Sequence, residues 1–261
     1  MYIERDDFRQ SYVVAKNEII KFVRGKRLIV YAVIVCLVFL LLTAVPPLTG
    51  SGFSWYDTSI FFGHSVLSAY LHFMDILIIL GATLFASNAI VSEYEERTAL
   101  VLFTRPIKKT PIFLGKIVGC IIVEAVFVVL YYLCVAVVLQ AVNGAVPIEL
   151  FTSLGVAFMY IVAATGVAML ISSVLKKSGT SAVLVFFLLL MIIPIVSLMF
   201  YLAGIDDPWF IITQAGGVLS PPATLGIISP MEHVARACGV LAIWGLVTSF
   251  VAWFMFTRRE F

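Results

Sequence analysis

Residues 92–116, SEYEERTALVLFTRPIKKTPIFLGK, are a strongly charged stretch between two long apolar runs. A segment this polar is too costly to place in a bilayer, so we expect it to lie in water. Its apolar residues, among them Leu100 and Phe103, give it a face that can be buried against another surface. We therefore predict a short cytoplasmic helix over 92–111. The charged residues of the stretch are Glu93, Glu95, Glu96, Arg97, Arg105, Lys108, Lys109 and Lys116.

The composition is that of a membrane protein. The chain has 261 residues, of which 62% are hydrophobic and 12% are charged, and its mean hydropathy is +1.10. Soluble globular proteins have about 45–50% apolar and about 25% charged residues. We predict an all-α polytopic membrane protein with a single transmembrane domain over 1–261. No polar stretch is long enough for a separate soluble domain, and we expect no nucleic-acid partner.

Six apolar runs are long enough for transmembrane helices, which need about 20 residues each. The third run is longer than a bilayer needs, so it either tilts or extends into the cytoplasm. Pro194 lies inside the fifth run, where its missing N–H should kink the helix. The predicted spans are approximately 28–46, 70–91, 112–141, 149–174, 180–203 and 235–256.

The Lys and Arg residues predict the orientation of the spans. Of the 17 in the chain, all but Arg236 lie in the N-terminal segment, after span two, after span four or at the C-terminus. The segments 47–69, 142–148 and 204–234 contain none. Cytoplasmic loops carry the excess of Lys and Arg, so both termini are predicted to be cytoplasmic. We expect a multi-pass protein of the cell (plasma) membrane.

Residues 8–27 are predicted to form a basic amphipathic helix before span one. Apolar residues recur at steps of three and four on one face, and the basic residues lie elsewhere. Such a helix suits the headgroup region of the bilayer. A cytoplasmic helix docked on a partner protein is the alternative, but direct continuation into span one at Leu28 favours the membrane surface. The apolar residues are Phe8, Tyr12, Ala15, Ile19, Phe22 and Val23.

Two segments on the predicted outer side, 47–69 and 204–234, are rich in aromatic and apolar residues and carry few charges. We expect both to lie at the outer interface of the bilayer. Residues 208–230 either dip into the membrane or belong to an aromatic belt that has no gating role.

No motif for nucleotide or metal chemistry is present. Gly25-Lys26 and Gly115-Lys116 lack the preceding Gly and the following Ser or Thr of a phosphate-binding loop, and an HExxH zinc motif is absent. The four cysteines form no CxxC pair. We therefore expect no catalytic residue, no metal site and no cofactor in this chain.

Two carboxylates lie within predicted spans, where acids are costly and are usually functional. Asp75 lies near the outer end of span two, with His72 one turn earlier, and Glu124 lies well inside span three. We treat these three residues and Pro194 as candidates for a substrate path or gate. The alternative is an interhelical hydrogen bond or, for Asp75, an interfacial position with access to water.

Small residues predict close contacts between helices. Gly115 and Gly119 are four residues apart at the start of span three, and span four carries several Gly and Ala residues, including Gly155 and Gly166. Such residues let helices approach closely. The pattern suits packing within one bundle and also the seam of a homodimer.

The stretch from Glu93 to Lys116 resembles a motif of permease subunits of the type-2 ABC exporter family. That motif, E-x-E-x-G-T-x-x-x-L-L-x-x-P-[IV]-x-[RK]-x-x-[IL]-x-x-G-K, lies between spans two and three. Arg97 stands in place of the usual Gly, and Phe103 in place of a second Leu. The six spans, the amphipathic N-terminal helix and the lack of an ATPase domain extend the resemblance over the whole chain. The matching residues are Glu93, Glu95, Thr98, Leu102, Pro106, Ile107, Lys109, Ile112, Gly115 and Lys116.

This resemblance implies that 92–111 contains a coupling helix, which docks into a groove on a separate ATPase subunit. It also implies two permease copies, expected here as a homodimer, and two ATPases that bind ATP and Mg. Closure of the ATPases would push the coupling helices and open a path outward for an exported substrate. The N-terminal helix would also touch the ATPase. The implied coupling residues are Glu93, Glu95, Glu96, Arg97, Thr98, Leu100, Arg105 and Pro106.

Two other functions are alternatives. An ion-coupled secondary transporter or channel would use Glu124 in its path as a proton or cation site, and it would need no ATPase. An integral-membrane enzyme would use Asp75, Glu124 and the histidines. The two acids are at different depths and form no paired catalytic motif, which disfavours the enzyme.

Overall fold

The computed structural model describes residues 5–48, 66–95, 109–144, 146, 148–205, 208–218 and 231–258. Every regular element in these ranges is helical, so the predicted all-α fold class is confirmed. A 3₁₀ turn follows α3, and a π-helical turn joins α7 to α8. The helices are α1 (Arg5–Arg24), α2 (Lys26–Leu48), α3 (Val66–Phe85), α4 (Val91–Glu95), α5 (Lys109–Asn143), α6 (Ile148–Val174), α7 (Ser178–Phe187), α8 (Ile193–Leu202), α9 (Ile212–Gly217) and α10 (Met231–Arg258), with the turns at Ala86–Asn88 and Leu188–Ile192.

Six stretches of helix in the described ranges are long and apolar enough to cross a membrane, which is the number that the sequence predicts. Their ends lie within three residues of the predicted ends. Their length and composition are those of a multi-pass membrane protein. The stretches are Lys26–Val45, Leu67–Glu93, Lys109–Val142, Leu150–Val174, Ser178–Leu202 and His233–Arg258.

Helix α5 is longer than a bilayer requires. It has 35 residues, and a rise of 1.5 Å per residue makes it about 52 Å long. The hydrocarbon core of a bilayer is about 30 Å thick. Either α5 tilts, or its first turns, which carry Lys109 and Lys116, extend beyond the hydrocarbon.

The segments that are predicted to be cytoplasmic meet at one end of the bundle, which we call the termini end; the opposite end is the far end. Lys109 Nζ donates to the carbonyl oxygen of Thr257 at 3.1 Å, which joins the start of α5 to the end of α10. The backbone N–H of Ser178 donates to Glu95 Oε2 at 2.9 Å, which joins the loop after span four to the segment after span two. That the termini end faces the cytoplasm stays a prediction.

Helix α1 packs along the first turns of α5, where two glycines allow a close approach. A Cβ atom at Gly115 would lie only 2.6 Å from the Cβ atom of Val14. A Cβ atom at Gly119 would lie 3.1 Å from the Cβ atom of Glu18. The glycine pair at the start of span three therefore serves a contact within this chain.

The predicted apolar face of α1 is divided between two surfaces. Ala15 and Phe22 are buried in the bundle, whereas Phe8, Tyr12 and Val23 are exposed. The helix thus has one side fixed on its own chain and a second apolar side that is free to meet other surroundings. The headgroup region and a partner protein stay as alternatives for this second side.

Helix α6 is at the centre of the bundle and packs along α10. A Cβ atom at Gly245 of α10 would lie 2.9 Å from Val162 Cγ1, and Gly166 lies directly against the Thr248 side chain. At Gly166 the small residues of span four therefore serve packing within the bundle. Gly155 differs, because no atom of the described residues lies within 4 Å of the place of its Cβ. A homodimer seam on α6 stays a prediction.

Span five is not a continuous α-helix. Pro194 stands in the first turn of α8, directly after the π-helical turn. The N–H of Ile193 donates to the carbonyl oxygen of Leu188, five residues earlier. Proline has no N–H to continue the α-helical ladder, and wider hydrogen bonding before it accommodates this loss. The structure thus shows a change of helix type next to Pro194, and the predicted kink stays a prediction.

Residues 208–218, which belong to the predicted outer segment 204–234, fold against the bundle. Ile211 and Ile212 are buried, and Trp244 Nε1 donates to the carbonyl oxygen of Phe210 at 2.9 Å. Helix α9 packs against α10, α6 and α8. Residues 219–230, and residues 49–65 of the other outer segment, lie outside the described ranges. That 208–230 dips into the bilayer stays a prediction.

We expect Gly166→Ala to destabilise the folded bundle by about 1–3 kcal/mol, because the added methyl group would press against Thr248. Gly155→Ala is the matched control, since it makes the same change on the same helix at a place with no atom within 4 Å. Thermal unfolding of the purified protein in detergent measures both variants. Equal stability of the two would contradict the close packing of α6 on α10.

Candidate functional site

A buried lysine joins three segments at the termini end. Lys116 on α5 is 1% exposed, and its Nζ atom lies 2.6 Å from Glu18 Oε1 of α1 and 2.5 Å from Glu93 Oε1 of α4. It also donates to the carbonyl oxygen of Ala89 at 2.8 Å. An ammonium group has three N–H donors, so its donors are all matched by acceptors. We call these four residues the lysine cluster.

The electrostatics of the lysine cluster favour a single arrangement. Glu18 and Glu93 are 8% and 15% exposed, so both carboxylates are largely removed from water. Burying a charge is costly unless it is paired and hydrogen-bonded, and loss of one partner leaves the others uncompensated. The cluster therefore holds α1, α4 and α5 together. Glu18 reaches Lys116 because Gly119 lets the backbone of α1 come close to α5.

A break in span two lies just before α4, and side chains from other helices complete its hydrogen bonds. The Ser172 Oγ atom accepts hydrogen bonds from the backbone N–H groups of Ile90 at 3.2 Å and Val91 at 3.1 Å, so it caps the start of α4. Ser181 Oγ donates to the carbonyl oxygen of Ser87 at 2.7 Å. Backbone groups that leave the helical ladder are thereby bonded to α6 and α7. We call residues 86–90 the span-two break.

Glu124 is enclosed by four helices about midway along α5. Its side chain has no exposed surface. Thr165 Oγ1 of α6 donates to Oε2 at 3.5 Å, and Oε1 has no hydrogen-bond partner among the described residues. Gly81 of α3 makes room for the carboxyl group, because a Cβ atom there would lie 2.7 Å from Oε1. Tyr31 of α2 closes the remaining side and donates its hydroxyl hydrogen to the carbonyl oxygen of Leu77 at 3.0 Å.

A cavity of about 420 Å³ lies at the far end, between α3, α8 and the segment that contains α9. We call it the far-end cavity. It brings together His72, Asp75 and Pro194, three of the four residues that the sequence proposes for a path or gate, and Glu124 is not part of its lining. The lining residues are His72, Asp75, Pro194, Ser197, Leu198, Tyr201, Pro208, Thr213, Gln214 and Gly217.

Asp75 is the carboxylate of the far-end cavity. Its Oδ1 atom is buried, and the buried hydroxyl group of Tyr160 is its polar neighbour. Both side chains lie against Gly216, where a Cβ atom would be 3.2 Å from Asp75 Oδ1 and 3.0 Å from the Tyr160 ring. On the opposite wall Gln214 Nε2 donates to Ser197 Oγ at 2.5 Å. The cavity thus combines apolar walls with a few polar groups.

The structure describes only the start of the predicted coupling segment. Glu95 is exposed at the end of α4, where it accepts the hydrogen bond from Ser178. Glu93 is 15% exposed and binds Lys116, and its predicted part in coupling stays a prediction. The other predicted coupling residues lie outside the described ranges: Glu96, Arg97, Thr98, Leu100, Arg105 and Pro106.

Glu18 and Ser172 are among the residues of these sites that the sequence analysis does not single out. Glu18 is the only acidic residue in 8–27, and it lies on the same helical face as the buried Ala15 and Phe22. An acid on the buried face of a basic helix needs a buried cation, so a usable signal was present. No sequence pattern points to Ser172, because its hydrogen bonds to Ile90 and Val91 depend on where α4 begins in the folded structure.

The described residues contain no group of three or more His, Cys, Asp or Glu side chains that could hold a metal ion. In the lysine cluster an ammonium group already lies between the two carboxylates. Asp75 and Glu124 belong to separate sites at different depths. The arrangement therefore suits charge pairing and ligand binding better than metal chemistry.

Comparison with known protein families gives a match over nearly the whole chain. A family model described as "ABC-2 family transporter protein" matches residues 12–259. The matched range contains the lysine cluster, the span-two break, Glu124 and the lining of the far-end cavity. No curated protein matches the chain.

We expect Lys116→Met to destabilise the folded protein by about 3–5 kcal/mol, because it leaves two carboxylates buried without their cation. Lys21→Met is the matched control, since Lys21 is exposed on α1. Thermal unfolding in detergent measures the difference. A triple variant that adds Glu18→Gln and Glu93→Gln should recover much of the loss by removing the uncompensated charges. A Lys116→Met protein as stable as Lys21→Met would contradict the stabilising role of the cluster.

Proposed function

The chain belongs to the ABC-2 family of transporter proteins, and on that premise we propose that it is the membrane subunit of an ATP-driven exporter. As a member of this family it is a multi-pass membrane protein and the permease component of an ABC transporter. Beyond this, the proposal is that it moves substrate outward and takes energy from ATP hydrolysed on a separate subunit. The resemblance of residues 93–116 to type-2 exporter permeases supports both parts.

The observation that carries the coupling proposal is the lysine cluster. Glu93 lies at the start of the segment 92–111, and Lys116 follows that segment on α5. Their ion pair closes the segment at its base, and Glu18 fixes α1 to the same point. A push on the segment by a partner would therefore displace α1 and α5 together rather than bend a loose loop.

The span-two break provides a second set of contacts through which such a displacement would reach the bundle. Ser172 of α6 caps the start of α4, and Ser181 of α7 binds the carbonyl oxygen of Ser87. Movement of α4 would change these contacts with spans four and five. The lysine cluster would hold the segment firmly at its ends, and the span-two break would let α4 move relative to α3. We expect such an arrangement in a segment that transmits motion.

The proposed assembly contains two copies of this chain and two ATPase subunits. ATP and Mg would bind to the ATPases, and this chain would carry no catalytic residue. We place the termini end in the cytoplasm of a cell whose plasma membrane holds the complex, because this end carries the basic segments. The exposed apolar residues of α1, Phe8, Tyr12 and Val23, are then available to the bilayer surface or to an ATPase.

Glu124 favours a second candidate function, that of an ion-coupled transporter or channel. A fully buried carboxyl group with one oxygen lacking a partner among the described residues is a feature of proton and cation sites inside membranes. In that reading the chain would work without an ATPase, and Glu124 would bind and release a proton or cation during transport.

The tagged full-length protein, purified from gently solubilised membranes of its own cell, should carry an ATPase with a phosphate-binding loop in equal amount. Glu96→Lys should reduce the recovered ATPase at least tenfold by reversing a charge on the proposed docking segment. Glu149→Lys is the matched control, because it reverses a charge at the start of α6, at the far end. Mass spectrometry and ATPase assay measure the outcome, and a lone protein in several detergents would refute the proposal.

The ion-coupled alternative predicts a result that the exporter proposal does not. If Glu124 serves an ion path, vesicles containing the purified chain alone should acidify inside when a proton gradient is imposed. Glu124→Gln should abolish that acidification. We expect no flux above that of empty vesicles for either protein, as reported by a trapped pH-sensitive dye. A flux that disappears in Glu124→Gln would decide for the alternative.

A further inference from the structure

We propose that the far-end cavity binds an organic cation with an apolar body, with the carboxylate of Asp75 as its counter-charge. The juxtaposition of a buried carboxylate oxygen, aromatic and aliphatic walls and a volume of about 420 Å³ carries this inference. That the bound cation is a transported substrate rests on the proposed function. The binding itself can be tested without it.

The charge of the cavity selects for a cation. Its described lining contains one carboxylate, one imidazole and no Lys or Arg side chain. An adjoining small pocket contains Arg236, whose guanidinium group lies over the Trp209 ring at 5.9 Å from the ring centroid. Arg236 is therefore engaged outside the cavity and does not contribute to its lining.

Asp75 itself is placed to receive a ligand. Its Oδ1 atom is buried beside the hydroxyl group of Tyr160, its polar neighbour within the protein, and the side chain borders the cavity, whose described lining holds no cationic Lys or Arg. An ionised carboxylate away from water is costly until a cation or donor meets it. A ligand with a positive charge supplies a counter-charge, which a neutral or anionic ligand of the same shape cannot supply.

The remaining walls suit an apolar body of drug-like size. The volume falls in the range of about 300–1,000 Å³ that is usual for small-molecule sites. Leu198, Pro194 and Pro208 offer apolar surface, and Tyr201 adds an aromatic residue to the lining. Gln214 and Ser197 bond to each other, so they compete little for ligand.

The test uses tetraphenylphosphonium as the probe and the full-length protein in detergent. Equilibrium dialysis of the radiolabelled probe, with excess unlabelled probe to define specific binding, gives the affinity. Asp75→Asn should weaken binding at least tenfold. Asp7→Asn is the matched control, because it removes a carboxylate from α1 at the other end of the protein and should leave the affinity unchanged. Tetraphenylborate, which has the same shape and the opposite charge, should show no specific binding.

A second pair of variants keeps Asp75 and changes the volume of the cavity. Leu198→Trp should weaken probe binding at least tenfold by filling the cavity. Leu202→Trp, on the same helix but outside the lining, should bind as the unchanged protein does. This pair decides the matter if Asp75→Asn fails to fold.

Two results would overturn the inference: unchanged probe affinity in a folded Asp75→Asn protein or in Leu198→Trp, and specific binding of tetraphenylborate equal to that of the cation. The ATPase recovered in the same preparations is scored separately. Absence of the ATPase with cation binding intact would overturn the exporter proposal alone, and absence of cation binding with the ATPase present would overturn this inference alone.

Discussion

The ammonium group of Lys116 is the interaction on which the termini end of the structure depends. A charge held away from water must find its partners within the protein, and Lys116 finds three of them on two separate pieces of chain. Glu18 lies before the first span, whereas Ala89 and Glu93 lie at the end of the second. None of these pieces can shift alone without stranding a buried charge. Where the described residues flank the predicted coupling segment, buried ion pairs thus join α4 and α5 to α1.

Span two connects the buried polar sites of the bundle. Its far end supplies Asp75, its middle supplies Gly81 beside Glu124, and its last turns supply Ala89 and Glu93. It is also the most buried of the six spans, with 78% of the residues in its apolar part buried compared with 11% for span one. A displacement at α4 would therefore act on a mostly buried span that carries Asp75 and lies beside Glu124.

The sequence was sufficient for the number of spans, because apolar runs and the distribution of Lys and Arg are local properties of the chain. It also singled out His72, Asp75 and Pro194, which the fold brings to one cavity. It could not show that they share a cavity, since this depends on how α8 and α9 pack. The sequence also could not show that Glu93 pairs with Lys116, because that ion pair depends on how span two and α5 pack together. Glu18 could have been found, because an acid on a buried helical face is visible in the pattern alone.

The π-helical turn before Pro194 has a consequence for how the far-end cavity could arise in evolution. A π turn holds one residue more than an α turn, and each residue rotates a helix by about 100°. Removing one residue from Leu188–Ile192 would therefore turn Ser197 and Leu198 away from the position that they now occupy on α8. Conversely, one inserted codon in an ordinary α-helix is enough to bring a new set of side chains to this wall. A transporter with this feature can change the lining of its cavity in one genetic step while its span remains long enough and apolar enough for the bilayer.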